Sequence, residues 1–483
     1  MHIRLTGKGD IAGQIYRQMV AAIVNGRLRP GERVPATREL AKELRVARNT
    51  VAVAYERLEA EGLLTGRVGA GSFVTTEALH STGGTRAPAG ALEARAIWQR
   101  LSRFSFGGRP MPAGARRAAT PYDFSVGTPD ATFFPYTTWR RLLSGEFRKP
   151  SAALAAYGEP AGIASLREAI AHHLALSRGV LADADDVIVT SGAQQAFDLI
   201  GRVLITPGAV VAVEDPGYPM AGLAFQSCGA DGRPVPVDEE GLVVDRIPNA
   251  ARIVYVTPSH QFPRGSVMSL RRRAALLAWA ERREGVIIED DYDSEFRFGA
   301  RPLDPLQCLD RRGRVIYVGT FSKVLLPSLR VGFLIAPSSL QPALRAARRL
   351  AGWHSEIATQ SALAKLIAGG LFARHTRKVS REYADRHARV VAGLEKHCSG
   401  WLRTIPSSAG LHVTAELQVR AELAKVVAAA SVRGVSVRPV RDFAMQRTGR
   451  DGLVLGYGAI PSFRIEEGLK RLNAAFEDAI SSR

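Results

Sequence analysis

The stretch VIYVGTFSKVLLPSLR, residues 315–330, decides how the rest of the chain is read. Val315-Ile316-Tyr317-Val318 is a β-branched and aromatic run of strand length. It opens into Gly319-Thr320-Phe321-Ser322-Lys323, and Arg330 follows seven residues on. A lone lysine is ordinarily a solvated surface charge. A lysine just beyond a buried strand, among hydroxyls and an arginine, has the surroundings of an amine kept neutral beside an anion cradle.

Similar apolar bursts occur at Val187–Thr190, Val210-Val211-Ala212-Val213, Ile253-Val254-Tyr255-Val256, Val286-Ile287-Ile288-Glu289 and Gly332–Ile335. Near-continuous runs of this kind suit strands covered on both faces. Helical segments lie between several of them, including Ala193–Leu204 and Leu270–Arg283. The pattern over 120–483 is therefore α/β, with a central sheet between helices.

Other segments bring chemistry to the same sheet. Asp290 ends the run 286–289, where a carboxylate can face a ring nitrogen, and Tyr292 follows as a donor to a ring oxygen. Ser191-Gly192-Ala193-Gln194 leaves a strand and opens a helix, so the free amides of Ala193 and Gln194 suit a phosphate. Asp215-Pro216-Gly217-Tyr218 places an aromatic after another strand, ready to stack. An amine, a carboxylate, phosphate donors and a stacking ring are what pyridoxal 5′-phosphate (PLP) needs from a protein.

The motifs SGAQQ, EDPGYP, TPSHQFP, IIEDDYDSEF and GTFSK…LR, in this order, resemble those of fold-type-I aminotransferases. The resemblance implies a PLP Schiff base on Lys323, Asp290 on the pyridine nitrogen, Tyr292 on the ring oxygen and Tyr218 stacked on the ring. It gives Ala193, Gln194, Thr320, Ser322 and Arg330 to the phosphate, and places His260 or Gln261 near the ring oxygen. It also implies that Tyr157 reaches a phosphate across a dimer interface. Three positions depart from the pattern. Arg264 in Pro263-Arg264-Gly265 puts an extra cation beside the site, and Pro219-Met220-Ala221 has no arginine. Ser436 stands where a carboxylate-binding arginine is expected, with Arg438 two residues along as its substitute.

The first 75 residues follow another plan. Apolar positions in 11–25, 37–44 and 47–61 give three helices, with Thr37 expected to cap the second. Residues 63–66 and 71–74 read as two strands around the tip Arg67-Val68-Gly69-Ala70. Three helices and a wing form a winged helix-turn-helix, whose third helix enters the major groove of DNA. GRLRPGERVPATRELAKELRVARNTVAVAYERLEAEGLLTGRVGAGSFV, residues 26–74, resembles the DNA-binding domain of GntR-family regulators. That resemblance assigns DNA contact to Arg38, Ala47, Arg48, Asn49, Thr50 and wing Gly69; Ala47 replaces a frequent hydroxyl.

Between the two, Ala, Gly, Pro, Arg and Ser dominate 76–119, which reads as a linker with one short helix near 91–103. The expected organisation is 1–78 as DNA reader, 79–119 as linker and 120–483 as PLP-binding domain. The fusion resembles the MocR (GabR-type) regulators. It implies a head-to-tail homodimer on double-stranded promoter DNA, with PLP and an amino compound as effectors. A working aminotransferase carrying a targeting module is the alternative, and a PLP-free scaffold is a third reading.

The formal charge of +19 fits a polyanionic partner, but residues 1–80 carry only 12 Lys/Arg against 8 Asp/Glu. Charge alone therefore does not locate the DNA site. The three cysteines are scattered, which suits a reducing cytoplasm and suggests neither disulfides nor a metal site. No apolar run is long enough for a membrane span, and no secretory signal is read.

Overall fold

In the computed structural model the described residues are 3–6, 9–67, 70–75, 95–102, 105–106, 109–110, 120–148, 155–298, 304–446 and 451–481. They fall into two compact units, Met1–Ala94 and Arg95–Arg483.

The first unit holds helices Ile11–Val24, Thr37–Leu44 and Arg48–Ala60, followed by the antiparallel strands Leu64–Arg67 and Gly71–Val74. Ile15, Met19 and Ile23 recur at helical spacing and are fully buried with Leu40, Val51 and Leu58. Asp10 caps the first helix by accepting from the Gly13 amide at 2.8 Å. The expected cap at Thr37 is corrected. Thr37 is the first helical residue, and Glu39 instead reaches back to accept from the Ala36 amide at 3.1 Å.

The second unit is built on an eight-stranded sheet. Its order is Val187–Thr190, Gly332–Ile335, Val315–Thr320, Val286–Asp291, Ala251–Val256, Val210–Asp215, Asp231–Asp238 and Gly241–Leu242. The strands from 315–320 through 231–238 run parallel; Gly332–Ile335 is antiparallel to both neighbours. Helices Ala193–Leu204 and Leu270–Arg283 have the bounds read from sequence. Strands Val210–Asp215, Val286–Asp291 and Val315–Thr320 extend past their apolar runs. Asp290 and Asp291 remain in strand because buried partners receive them: Tyr255 for Asp290, and Arg178 with Tyr317 for Asp291.

A smaller layer follows, with strands Leu402–Thr404, His412–Leu417, Gly452–Gly456 and Arg438–Pro439 in that order. Helices Leu371–Cys398, Leu423–Val432 and Ser462–Ser481 accompany it. The 28-residue helix buries Phe372, His375, Val379, Tyr383, Arg386, Val390 and Leu394, a stripe at three- and four-residue spacing. Within the expected linker, helix Ala96–Ser102 packs against helix Pro219–Ser227, and Ser105–Phe106 pairs with Arg109–Pro110.

Candidate functional site

A cavity of about 430 Å³ opens where the parallel strands end, the place an open α/β sheet offers for a ligand. Lys323 lines it three residues beyond Val315–Thr320 and donates from Nζ to the Gly127 carbonyl at 2.7 Å. Gly127 has φ +76°, and a Cβ there would stand 3.1 Å from Nζ. Burial pulls the Lys323 pKa below the usual lysine range, against the pull of Asp293 and Asp290. A neutral amine, the nucleophilic form, is thereby favoured.

Asp290 faces the same space. Its Oδ2 accepts from Tyr255 Oη at 2.6 Å, and its buried Oδ1 has no hydrogen-bond partner among the described residues. Burial, with Asp291 adding, pushes this carboxyl up to about 7, against the Tyr255 hydrogen bond and Lys323. A buried acceptor left open toward a cavity is a place for a ligand N–H. Tyr292 lines the wall and donates to the His260 carbonyl at 3.0 Å. Tyr218 lies edge-on to Phe262, with ring centroids 5.8 Å apart, and burial raises its pKa to about 12.

The other wall is an anion cradle. Helix Ala193–Leu204 starts at Ala193, so its first amides have no intrahelical acceptors, and Ala193 and Gln194 line the cavity. Thr320 donates to Ser322 Oγ at 3.1 Å, and both hydroxyls line the space. Arg330, left-handed at φ +51°, donates to the Ser191 carbonyl at 2.7 Å. The turn admits this because Gly192 has φ +88° and lacks a Cβ, which would stand 3.1 Å from the guanidinium.

Lys323, Asp290, Tyr292, Tyr218, Ala193, Gln194, Thr320, Ser322 and Arg330 are thus brought together. His260 and Gln261 are not on the cavity wall. Gln261 Nε2 donates to the Pro216 and Phe262 carbonyls at 2.9 and 2.6 Å, and His260 Nδ1 pairs with Asp293 at 3.0 Å. Phe262, the next residue along, lines the wall instead. Tyr157 is 83% exposed and lies against Trp353 rather than on the cavity. Arg264 is not beside the site either. It pairs with Glu416 at 2.9 Å in a separate cleft, while Arg438 does reach the cavity wall.

Sequence reading missed Gly127, Tyr255, Asp293 and His412. Tyr255 lies inside a strand read as plain core, and nothing local marks it as the partner of Asp290. His260, Asp293 and His412 bring ligand-type atoms within 4.8 Å of one another although no metal pattern was legible. Each histidine already has a polar partner, His260 the Asp293 carboxylate and His412 the Pro263 carbonyl at 3.0 Å.

In the first unit Arg38 stands exposed on helix Thr37–Leu44. Ala47 is the N-cap of helix Arg48–Ala60 and makes no side-chain cap bond. Arg48 and Asn49 are exposed and Thr50 half-buried in its first turn. Gly69 lies outside the described residues.

Comparison with known proteins agrees with both units. Residues 11–74 match the model of bacterial regulatory proteins of the gntR family, and 148–452 that of aminotransferase class I and II. The chain is 37% identical to "Probable rhizopine catabolism regulatory protein MocR" of Rhizobium meliloti, covering 96% of this chain and 93% of that one. It is 32% identical to the pyridoxine biosynthesis transcriptional regulator PdxR of Corynebacterium glutamicum, over 98% and 96%. Among solved structures it resembles LysN, the α-aminoadipate aminotransferase of Thermus thermophilus complexed with N-(5′-phosphopyridoxyl)-L-leucine. That match has a TM-score of 0.70 and 28% identity, covering 80% of this chain and all of the other.

The fold and sites define a winged helix-turn-helix DNA-binding unit fused to a fold-type-I aminotransferase-like domain. The chain belongs to the MocR-type regulators of the GntR family. Its whole-length relatives are described as transcriptional regulators rather than as enzymes.

Proposed function

We propose that the chain regulates transcription through PLP held on Lys323, with 1–78 as reader, 79–119 as linker and 120–483 as sensor. The observation that carries this is that Asp290, whose buried Oδ1 has no hydrogen-bond partner among the described residues, lines the same cavity as Lys323. Ala193, Gln194, Thr320, Ser322 and Arg330 would hold the phosphate, Tyr218 would stack on the ring, and Tyr292 would donate to its oxygen. PLP supplies a carbonyl that condenses with amines and a ring that withdraws electrons from the product.

The chain's own part is to keep the Lys323 amine neutral, to offer Asp290 to a pyridinium, and to exclude water with Phe262, Phe443 and Leu411. Arg438 on the same wall fits an amino compound that carries an acidic group. The cavity takes Asp290 from the large sheet, Lys323 from the turn that follows its strand Val315–Thr320, and His412 and Arg438 from the small sheet. A ligand touching both layers therefore favours one arrangement of them, which is what an allosteric signal requires. Exposed Tyr157 would serve a second copy in a head-to-tail homodimer. Arg38, Ala47, Arg48, Asn49, Thr50 and Gly69 would meet promoter DNA, and the protein would then work in the cytoplasm on the bacterial nucleoid.

Visible absorbance of the PLP-loaded protein tests this. Wild type shows a borohydride-reducible band that Lys323→Ala lacks, and a band surviving that substitution overturns the assignment. The second reading, turnover as an aminotransferase, is supported by the same complete set of groups. Steady-state formation of a new amino acid from a keto acid is the outcome that would favour it.

A further inference from the structure

The helix Leu371–Cys398 turns its apolar stripe inward and presents Arg374, Arg377, Lys378 and Arg381 to solvent. These positions, spaced by three, one and three residues, lie on one face of the helix over about 10 Å. None has an ion-pair partner among the described residues, whereas Arg389 further along is paired with Asp385 at 2.6 Å. Glu382, also exposed, stands at the end of the stripe and forms no ion pair with Lys378 within 4.0 Å among the described residues.

Folding alone gives no reason for this arrangement. The cations crowd the N-terminal half of the helix, whose first turn holds no acidic residue. Neighbouring like charges at three and four residues repel. A polyanion lying along the face relieves that repulsion. Duplex DNA carries one charge per roughly 1.7 Å of axis, so about 10 Å of it opposes several phosphates to the four cations. The chain belongs to a DNA-binding family, so a duplex is already within its reach. The excess charge that residues 1–80 do not account for also lies further along the chain.

We propose that Arg374, Arg377, Lys378 and Arg381 form a second, sequence-independent DNA contact on the aminotransferase-like domain, grasping backbone phosphates beyond the footprint of the winged helix. The proposal rests on the DNA-binding reading of the chain and not on PLP chemistry. Its test uses the full-length, PLP-loaded protein and a long mixed-sequence duplex, with the binding constant measured across a salt series. Replacing all four by glutamine should make the slope of log K against log salt shallower by about 3 to 4, near 0.9 per cation removed. Swapping each cation for the other type, Arg to Lys or Lys to Arg, should keep the wild-type slope. A duplex trimmed to the winged-helix footprint should show equal slopes for wild type and glutamine variant.

Should the fourfold variant fail to fold, Arg374→Gln/Lys378→Gln and Arg377→Gln/Arg381→Gln should each give about half the effect. An unchanged slope on the long duplex overturns the proposal. So does an altered sedimentation mass with unchanged slope, which would assign the face to a second copy of the chain. Arg48→Ala lowering affinity while the glutamine variants do not would leave the winged-helix reading standing and this contact refuted.

Discussion

The two functional regions handle charge in opposite ways. In the first unit Arg38 and Arg48 are exposed, as side chains must be to act on phosphates and base edges through water. In and beneath the cavity, burial alters the acids and bases themselves: on its wall Lys323 is pulled down and Asp290 pushed up to about 7, and Glu214 and Glu289, buried off the wall, are each pushed up to about 7. The reader offers exposed side chains to a large partner, and the cavity holds desolvated groups suited to a small one. Substitutions should therefore fail differently in the two regions.

The sharpest contrast is Lys323→Ala, which should remove the visible band completely while leaving the wing and recognition helix folded. Loss of salt-dependent DNA binding in that variant would break the separation. Asp290→Ala comes next. It leaves a pyridinium without its buried partner and should weaken PLP binding by about 3 kcal/mol, roughly 100-fold, by spectral titration. Arg48→Ala should cost about 1–3 kcal/mol on specific promoter DNA if it reads a base, with the PLP spectrum unchanged. An equal loss on specific and mixed-sequence DNA would make it a phosphate contact.

Gly192→Ala puts a side chain at φ +88° against Arg330 and should destabilise the second unit by about 1–3 kcal/mol in urea unfolding. The smallest effect is a pH trend. Asp290, Glu214 and Glu289 bind protons more tightly folded than unfolded, so their contribution is present at low pH. It is lost as pH rises from the ordinary carboxylate range through about 7. PLP-free protein should melt roughly 2–6 °C lower at pH 8 than at pH 5.5, and Asp290→Asn should flatten part of that slope. A rising melting temperature would contradict the burial argument.

The same contrast explains what was legible in the sequence. The reader is local: helix starts, turns and contacts lie within residues 11–74, so spacing alone placed Arg48 at the head of its helix. Strand-end motifs located Lys323, Asp290 and the Gly192 turn, because a motif at the end of a buried run has one place to go. Partners across the sheet were not legible. Tyr255 meets Asp290 only because Ala251–Val256 lies beside Val286–Asp291. Nor was the wall at 260–262 legible. Gln261 is consumed by backbone carbonyls and Phe262 takes the wall, a choice set by hydrogen bonds that spacing does not encode. Arg264 was drawn away by Glu416, which is remote in sequence.

The most direct test joins the two regions. Promoter affinity is measured for wild type and Lys323→Ala, each with and without saturating PLP, at one salt concentration. A several-fold change on PLP addition in wild type, absent from Lys323→Ala, is the predicted result. Identical affinities in all four samples, or the same shift in both proteins, would contradict control of the reader through Lys323.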